Sequence, residues 1–371
     1  MINILYIIFN SKIGGGPEHL YNLLKFADRA KYRFYVIAPN DGIYFNKFSD
    51  YSTVIEMDLR HHYLFNMFRI SKVIKDKHIS ICHAHGRGAG MYGRPIKIFC
   101  KNVKSIYTYH GIHYFEERFV INDIIFLFIE KIFKYFTDAN IAVSRKEYEE
   151  SIRIGLGEKN KSYIVYNGVD LTKFNQYPRG KEYLLNDGIN INENTIVLGC
   201  VARFDPEKGY VELIKAVKKV EKIYHNIILL IIGDGPERKK IENEIQNQKI
   251  EDKIFLLGFR QDIPQLLKCI DIYVSASYKE GLPYALIEAL ASETLVVATK
   301  TTGNDEIIYD GETGILCNVK NVESLSNAII KMIQEPENHA SYRAKGLKLV
   351  KNKFAIETMV NNTFDIYRKI M

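Results

Sequence analysis

Glu280-Gly281-Leu282-Pro283-Tyr284-Ala285-Leu286-Ile287-Glu288-Ala289-Leu290-Ala291 sets two carboxylates around a glycine and a proline, directly after the apolar run Asp271 to Ser275. That run reads as a buried parallel strand, and Pro283 suits the first position of a helix, where its missing N–H costs nothing. Unpaired N–H groups at such a start, with the positive end of the helix dipole, favour an anionic or hydroxyl-rich ligand at the carboxyl edge of a sheet. Leu282, Leu286 and Leu290 follow an i, i+4, i+8 stripe toward a core, while Glu288 shares a side with Tyr284. An ionised carboxylate accepts hydrogen bonds and donates none, so a vicinal diol, as in a sugar ring or a ribose, is its natural neutral partner. A lone Glu on a helix is more often simply solvated. Two of them at this spacing, with Glu280 at the mouth, point to a sugar nucleotide.

Upstream, Arg203 ends an apolar run and Lys208 follows the turn-forming Asp205-Pro206, so both cations can converge over one loop. A diphosphate suits that pair, since Arg offers a planar fork and Lys a movable point charge; an exposed Arg and Lys in a turn is the plainer alternative. Gly14, Gly15 and Gly16 lie between the first strand and a helix near Glu18 to Phe26, where a backbone without side chains can approach a phosphate or a reacting group. A plain turn would use the same residues. His83 and His85 share a strand face, but no third ligand stands within ordinary spacing, so zinc is not expected. His110 ends an apolar strand just before Gly111, at a carboxyl-edge position; taken alone, such a histidine is more often a satisfied core residue.

In order, these pieces resemble the retaining glycosyltransferases of the two-Rossmann-domain (GT-B) type, the family 4-like group that includes sucrose synthase. Glu-Gly-Leu-Pro-x-x-Leu-x-Glu-Ala resembles the donor-site signature, Arg203-Phe204-Asp205-Pro206-Glu207-Lys208-Gly209 the diphosphate-binding Arg and Lys, and Gly14-Gly15-Gly16-Pro17-Glu18 the first glycine loop. Thr108-Tyr109-His110-Gly111 resembles the N-domain histidine segment, and Asn167-Gly168-Val169-Asp170 with Phe174 the interdomain segment. The likeness runs from about residue 2 to residue 350. It implies catalytic roles for Glu280, His110, Arg203 and Lys208. It implies donor binding by Gly15, Gly16, Arg203, Lys208, Gly281, Leu282, Pro283 and Glu288, with Glu288 on the ribose and His110 on the donor sugar or its phosphate. Departures are Thr302-Gly303-Asn304-Asp305-Glu306, where the family often has Gly-Gly before x-x-Glu, and Pro17, where alanine is common. They touch the choice of sugar more than the reaction.

A chain of 371 residues is longer than one core usually grows. Apolar runs alternate with helix-length intervals, first from Met1 to about residue 166 and again from Ile196, which predicts an α/β protein. The expected architecture is two Rossmann-like, doubly wound parallel-sheet domains, facing a cleft as the resemblance implies. Domains are expected at 1–176, the acceptor side, and 177–352, the nucleotide-sugar side, with 353–371 a helix packing back on the first. The breaker-rich stretch up to Asn194 reads as a linker. Five widely spaced cysteines predict buried thiols in a reduced compartment.

The resemblance implies retaining transfer of a hexose or N-acetylhexosamine from a nucleoside-diphosphate sugar, with uridine the favoured base, to a hydroxyl of a saccharide acceptor. No cofactor is expected, and the absence of Asp-x-Asp argues against a carboxylate pair for a divalent ion. A same-fold epimerase and a non-catalytic binding protein are the alternatives; a nicotinamide dehydrogenase lacks its Gly-x-Gly-x-x-Gly, since His19 fills the third place. The net charge of +7 is compatible with solvation or with an anionic membrane surface, but its basic runs lack the aromatics that would stack bases, so nucleic acid is not expected. Met1 to Phe9 lacks a basic leader and a cleavage site, and charges interrupt Phe119 to Phe136, so neither a signal nor a span is expected. His61 to His78 and Phe119 to Phe136 mix aromatic and basic residues, as helices lying in a membrane interface do and as sheet-covering helices can. A cytoplasmic protein, held peripherally at the inner face of the membrane by the Lys and Arg of such a helix and acting on a lipid-linked saccharide, is the expectation.

Overall fold

The computed structural model describes residues 1–112 and 121–371. The chain forms two compact units, one of Met1–Gly168 with Ile356–Met371 and one of Val169–Ala355. In the first, β1 (Ile2–Ile8), β2 (Tyr32–Ala38), β3 (Thr53–Glu56), β4 (Ile81–His85), β5 (Lys104–Thr108), β6 (Ala139–Ala142) and β7 (Ser162–Ile164) form one seven-stranded sheet in the order β3-β2-β1-β4-β5-β6-β7. All its pairings are parallel. Such strands are buried on both faces and read as continuous apolar runs. One face carries Ile4, Tyr6 and Ile106 against Leu20 and Leu23 of the helix Gly15–Phe26, and against Ile356, Phe364 and Tyr367 of the helix Ile356–Ile370. The other packs Leu5, Ile7 and Ala84 against Met67, Ile70 and Ile74 of the helix Tyr63–Asp76.

The second unit holds β8 (Ile196–Val201), β9 (Ile227–Ile232), β10 (Ile254–Gly258), β11 (Ile272–Ser275), β12 (Leu295–Thr299) and β13 (Ile315–Cys317), ordered β10-β9-β8-β11-β12-β13. That is the strand order of a dinucleotide-binding fold, whose ligands sit beyond the carboxyl ends where the order reverses. Here the reversal lies between β8 and β11, and in the first sheet between β1 and β4.

Several local expectations shift. The stretch read as a linker is folded onto the second unit, with Phe174, Leu184 and Ile189 buried and Arg179 donating to the carbonyls of Ile270, Ser292 and Glu293. The strand that carries His83 and His85 runs Ile81–His85. The helix expected from Glu18 begins at Gly15, closed by Glu18 N–H to Gly14 O at 3.1 Å, so the glycines form its first turn. All five cysteines are buried thiols. No described helix is long and apolar enough to cross a membrane.

Candidate functional site

In the second unit, the loops after β8 and β11 bring one cluster together. Lys208 Nζ lies 2.7 Å from Glu280 Oε1, and the buried Ser277 hydroxyl donates to the same oxygen at 2.7 Å. Two backbone contacts bring the loops close. Tyr278 N–H donates to Glu207 O at 2.7 Å, and Gly209, at φ +65°, is so near β11's loop that a Cβ would stand 2.2 Å from Ala276 O. Only glycine meets both demands. Arg203 reaches the same side of the sheet but pairs with Asp205 at 2.6 Å and keeps its side chain 60% exposed. Its free guanidinium edge is open to a ligand, while Lys208 is engaged by a carboxylate.

Glu280 continues into Gly281, Leu282 and Pro283. The expected first helical residue, Pro283, is instead the extended N-cap, and the helix runs Tyr284–Ala291. Proline's missing N–H is harmless here too, because the cap N–H has no place in the helical ladder. Leu282, Leu286 and Leu290 are buried as the stripe requires, and Glu288 is half-buried on a different side of the helix. Among the described residues, nothing stands within 4 Å of where a Gly281 Cβ would be, whereas a Cβ on Gly303 would meet Gly281 O at 2.3 Å. The divergent segment 302–306 therefore lies directly under the Glu280-Gly281 backbone. Thr299 Oγ1 donates to Ser277 O at 2.5 Å, and Asn304 Nδ2 to Thr299 O at 2.8 Å, fixing that floor.

In the first unit, the carboxyl ends of β1, β4 and β5 gather Gly16, His19, His85 and His110. A Cβ on Gly16 would stand 3.7 Å from His110 Cδ2. His110 is two residues past the end of β5 rather than in it, at φ +59°, a left-handed conformation seldom adopted by non-glycine residues and concentrated at functional sites. Glu147 holds the next residue in place, accepting from Gly111 N–H at 2.5 Å and from Val143 N–H at 2.7 Å. Ser144 caps the same helix by accepting from Glu147 N–H at 3.1 Å. The pair forms a modified capping box, and its Ser-x-x-Glu spacing was legible in the sequence.

His85 Nδ1 and His110 Nε2 are 2.9 Å apart, and His19 Nδ1 faces Asn167 Oδ1 at 3.0 Å. His83, on the same strand as His85, is held in the core by Tyr367 Oη at 2.5 Å and Thr108 Oγ1 at 2.7 Å. The third imidazole near His85 that spacing failed to supply comes from elsewhere in the chain: among the described residues, ring nitrogens of His19, His85 and His110 lie within 4.8 Å of one another. Burial pushes His19 down to about 4 and holds His83, His85 and His110 well below the usual histidine range, so all four are neutral at physiological pH. Neutral imidazoles of this kind could hold a borderline ion such as zinc or serve as hydrogen-bonding groups.

Two parallel sheets, each with a cluster at the carboxyl edge where its strand order reverses, define a chain of two Rossmann-like units. The family model for glycosyl transferases group 1 matches residues 185–349, and that for glycosyltransferase family 4 matches residues 13–173. An Escherichia coli UDP-Gal:alpha-D-GlcNAc-diphosphoundecaprenol alpha-1,3-galactosyltransferase is 24% identical over 305 residues, covering 81% of this chain and 78% of its own. The capsular polysaccharide biosynthesis glycosyltransferase CapM of Staphylococcus aureus is 25% identical over 287 residues, 75% of this chain and 71% of its own. HepE of Anabaena, solved with UDP and glucose, matches the fold with a TM-score of 0.86 at 22% identity over 100% of both chains. The chain belongs to the family 4-like, group 1 glycosyltransferases.

Proposed function

We propose that this glycosyltransferase moves a hexose or N-acetylhexosamine from a UDP-sugar to a hydroxyl of a lipid-linked saccharide, with retention at the anomeric carbon, in cell-envelope or capsular polysaccharide synthesis. The observation that carries the reading is the Lys208–Glu280–Ser277 cluster beside the open face of Gly281, at the reversal point of the second sheet. In the reaction, the bond between the anomeric carbon and the diphosphate oxygen breaks. A bond to the acceptor oxygen forms on the same face, and the acceptor proton passes to the departing phosphate. Arg203 and Lys208 stabilise the charge growing on the diphosphate, and Glu280 anchors sugar hydroxyls as the ring gains oxocarbenium character. Glu288 holds the ribose diol, the backbone of Gly15, Gly16 and Gly281 to Pro283 approaches the donor, and His110 hydrogen-bonds it. Two protein cations then take the place of a divalent ion. The acceptor named for the E. coli relative, a diphosphoundecaprenol-linked sugar, supports the lipid-linked class.

A surface of the first unit supports attachment to an anionic membrane. On the helix Tyr63–Asp76, Met67, Ile70 and Ile74 cover the sheet, yet Leu64, Phe65 and Phe68 are 67%, 62% and 63% exposed on another side, among the exposed Arg69, Lys72 and Lys75. Phe68 meets the exposed Phe99 edge-on at 5.8 Å. The helix Ile121–Phe133 adds exposed Ile125 and Phe128 near Lys131, and Arg87 lies over Phe126 at 4.3 Å; Phe119 and Val120 of this segment lie outside the described residues. Sheet packing accounts for one side of Tyr63–Asp76 and not for this one. Each Lys or Arg at an anionic surface contributes about 1 kcal/mol.

The test is transfer from a panel of UDP-, GDP- and ADP-sugars to polyprenyl-diphosphate-linked saccharides, in EDTA, with product configuration read by NMR. Retained transfer from a UDP-sugar is expected; a strict need for added metal, or an inverted product, overturns the corresponding part. Co-sedimentation with phosphatidylglycerol vesicles at low but not high salt is expected. No binding at low salt, with full activity on free sugars, refutes the membrane reading.

A further inference from the structure

His85 and His110 share a single hydrogen bond, Nδ1 to Nε2 at 2.9 Å, between rings stacked at 5.2 Å. Both are neutral, so each ring carries one proton and only two arrangements satisfy the contact. If His110 donates from Nε2, the proton of His85 must sit on its own Nε2, which is buried and has no hydrogen-bond partner among the described residues. A buried N–H without an acceptor is among the rarest defects in folded proteins. If His85 donates from Nδ1, its Nε2 is a bare lone pair with no proton to satisfy, on a ring that stands 5.7 Å from that of Tyr6 and 4.2 Å from that of His83. The second arrangement leaves His110 with its proton on Nδ1, an atom that no described protein group engages.

We infer that His85 is a positioning residue that locks His110 into the Nδ1-protonated tautomer, so that His110 presents an N–H donor to the substrate and not a lone pair. The left-handed backbone of His110 and the Glu147 clamp on Gly111 N–H fix where that ring stands, and His85 fixes what it offers. The recognised group is then an acceptor, a sugar hydroxyl oxygen or a phosphate oxygen, and His110 takes no proton from the incoming hydroxyl. The inference rests on the proposal that His110 meets the donor substrate.

Histidine-selective ¹⁵N labelling of the full ligand-free chain reads the tautomer directly, with His110→Ala used to assign the signals. A pyrrole-type Nδ1 and pyridine-type Nε2 at His110 are expected; the reverse pattern overturns the inference. His85→Phe, which removes the donor, is expected to release His110 to the other tautomer and to lower kcat by at least about tenfold with a smaller change in donor KM. His85→Asn, whose amide nitrogen replaces Nδ1, is expected to keep both the His110 pattern and most of kcat. A His110 pattern unchanged in His85→Phe also overturns the inference. If the tautomer is as assigned and His110→Ala retains full kcat/KM, the proposed donor contact falls and the tautomer assignment stands.

Discussion

Lys208 Nζ rests 2.7 Å from Glu280 Oε1, although the proposed reaction sends the cation to the diphosphate and the carboxylate to the sugar. In the ligand-free protein each neutralises the other, so donor binding exchanges this ion pair for two sets of substrate contacts. Glu280→Gln removes the competitor for Lys208 while keeping its shape. The expected result is a kcat lower by about 10²–10³-fold, with UDP affinity by calorimetry unchanged or tighter. Weaker UDP binding with preserved turnover would reverse the two assignments.

Arg203→Ala and Lys208→Ala should behave in the opposite sense. Each loses a charge-assisted hydrogen bond worth about 1.5–3 kcal/mol, so UDP affinity should fall roughly 10- to 100-fold. Far-UV spectra should not change, because neither side chain is part of a core. A normal rate in either variant contradicts replacement of a metal by protein cations.

Gly281 and Gly303 touch the same loop but should fail differently. An added methyl on Gly281 meets open space, so Gly281→Ala should unfold at the wild-type temperature yet bind donor more weakly. On Gly303 the methyl would collide with Gly281 O at 2.3 Å, so Gly303→Ala should lower thermal stability as well. Equal melting temperatures for the two variants would refute the distinction.

The buried imidazoles make the fold acid-sensitive. An unfolded histidine takes up a proton near 6.5, whereas His19 resists until about 4 because of burial, and His83, His85 and His110 are lowered in the same direction. The unfolded state binds more protons across that window, so stability is full above about pH 6.5 and falls as pH drops toward 4. His19 alone accounts for roughly 3 kcal/mol. Urea midpoints at pH 7.5, 6 and 4.5 should fall in that order, and His19→Gln should flatten the decline.

How much of this could be read from residues alone depends on how far apart the partners lie. β8 begins at Ile196, where the sequence put it, because strands buried on both faces are uninterrupted apolar runs with breakers at each end. The ends of β4, Ile81–His85, were not legible, since Ile79-Ser80-Ile81-Cys82-His83-Ala84-His85 offers no alternation to fix them. The ordered motifs singled out Arg203, Lys208, Glu280 and Glu288. They could not show that Lys208 pairs with Glu280, or that Ser277 donates to it, because those contacts depend on two loops meeting across Gly209. The histidine cluster was the least legible part. His19, His85, His110 and Asn167 come from four separate segments, and only the parallel sheet order brings them to one edge.

Tyr367, in the helix Ile356–Ile370, closes its hydroxyl onto His83 and Tyr6 inside the first unit's core. That helix is made only after the whole of the second unit, Val169–Ala355, has been synthesised. At about 5–20 residues per second, the ribosome holds the first sheet for roughly 10–40 s with that face of its core covered by the helix Gly15–Phe26 but not yet by Ile356–Ile370, while the continuous second unit can complete itself in passing. The order of synthesis thus reverses the order of finishing. Tyr6, Tyr32 and Phe34, which Phe364 and Tyr367 otherwise meet, are then the surfaces a chaperone would find on the nascent chain, and a premature stop before Ile356 would leave a finished second unit tethered to an unfinished first one.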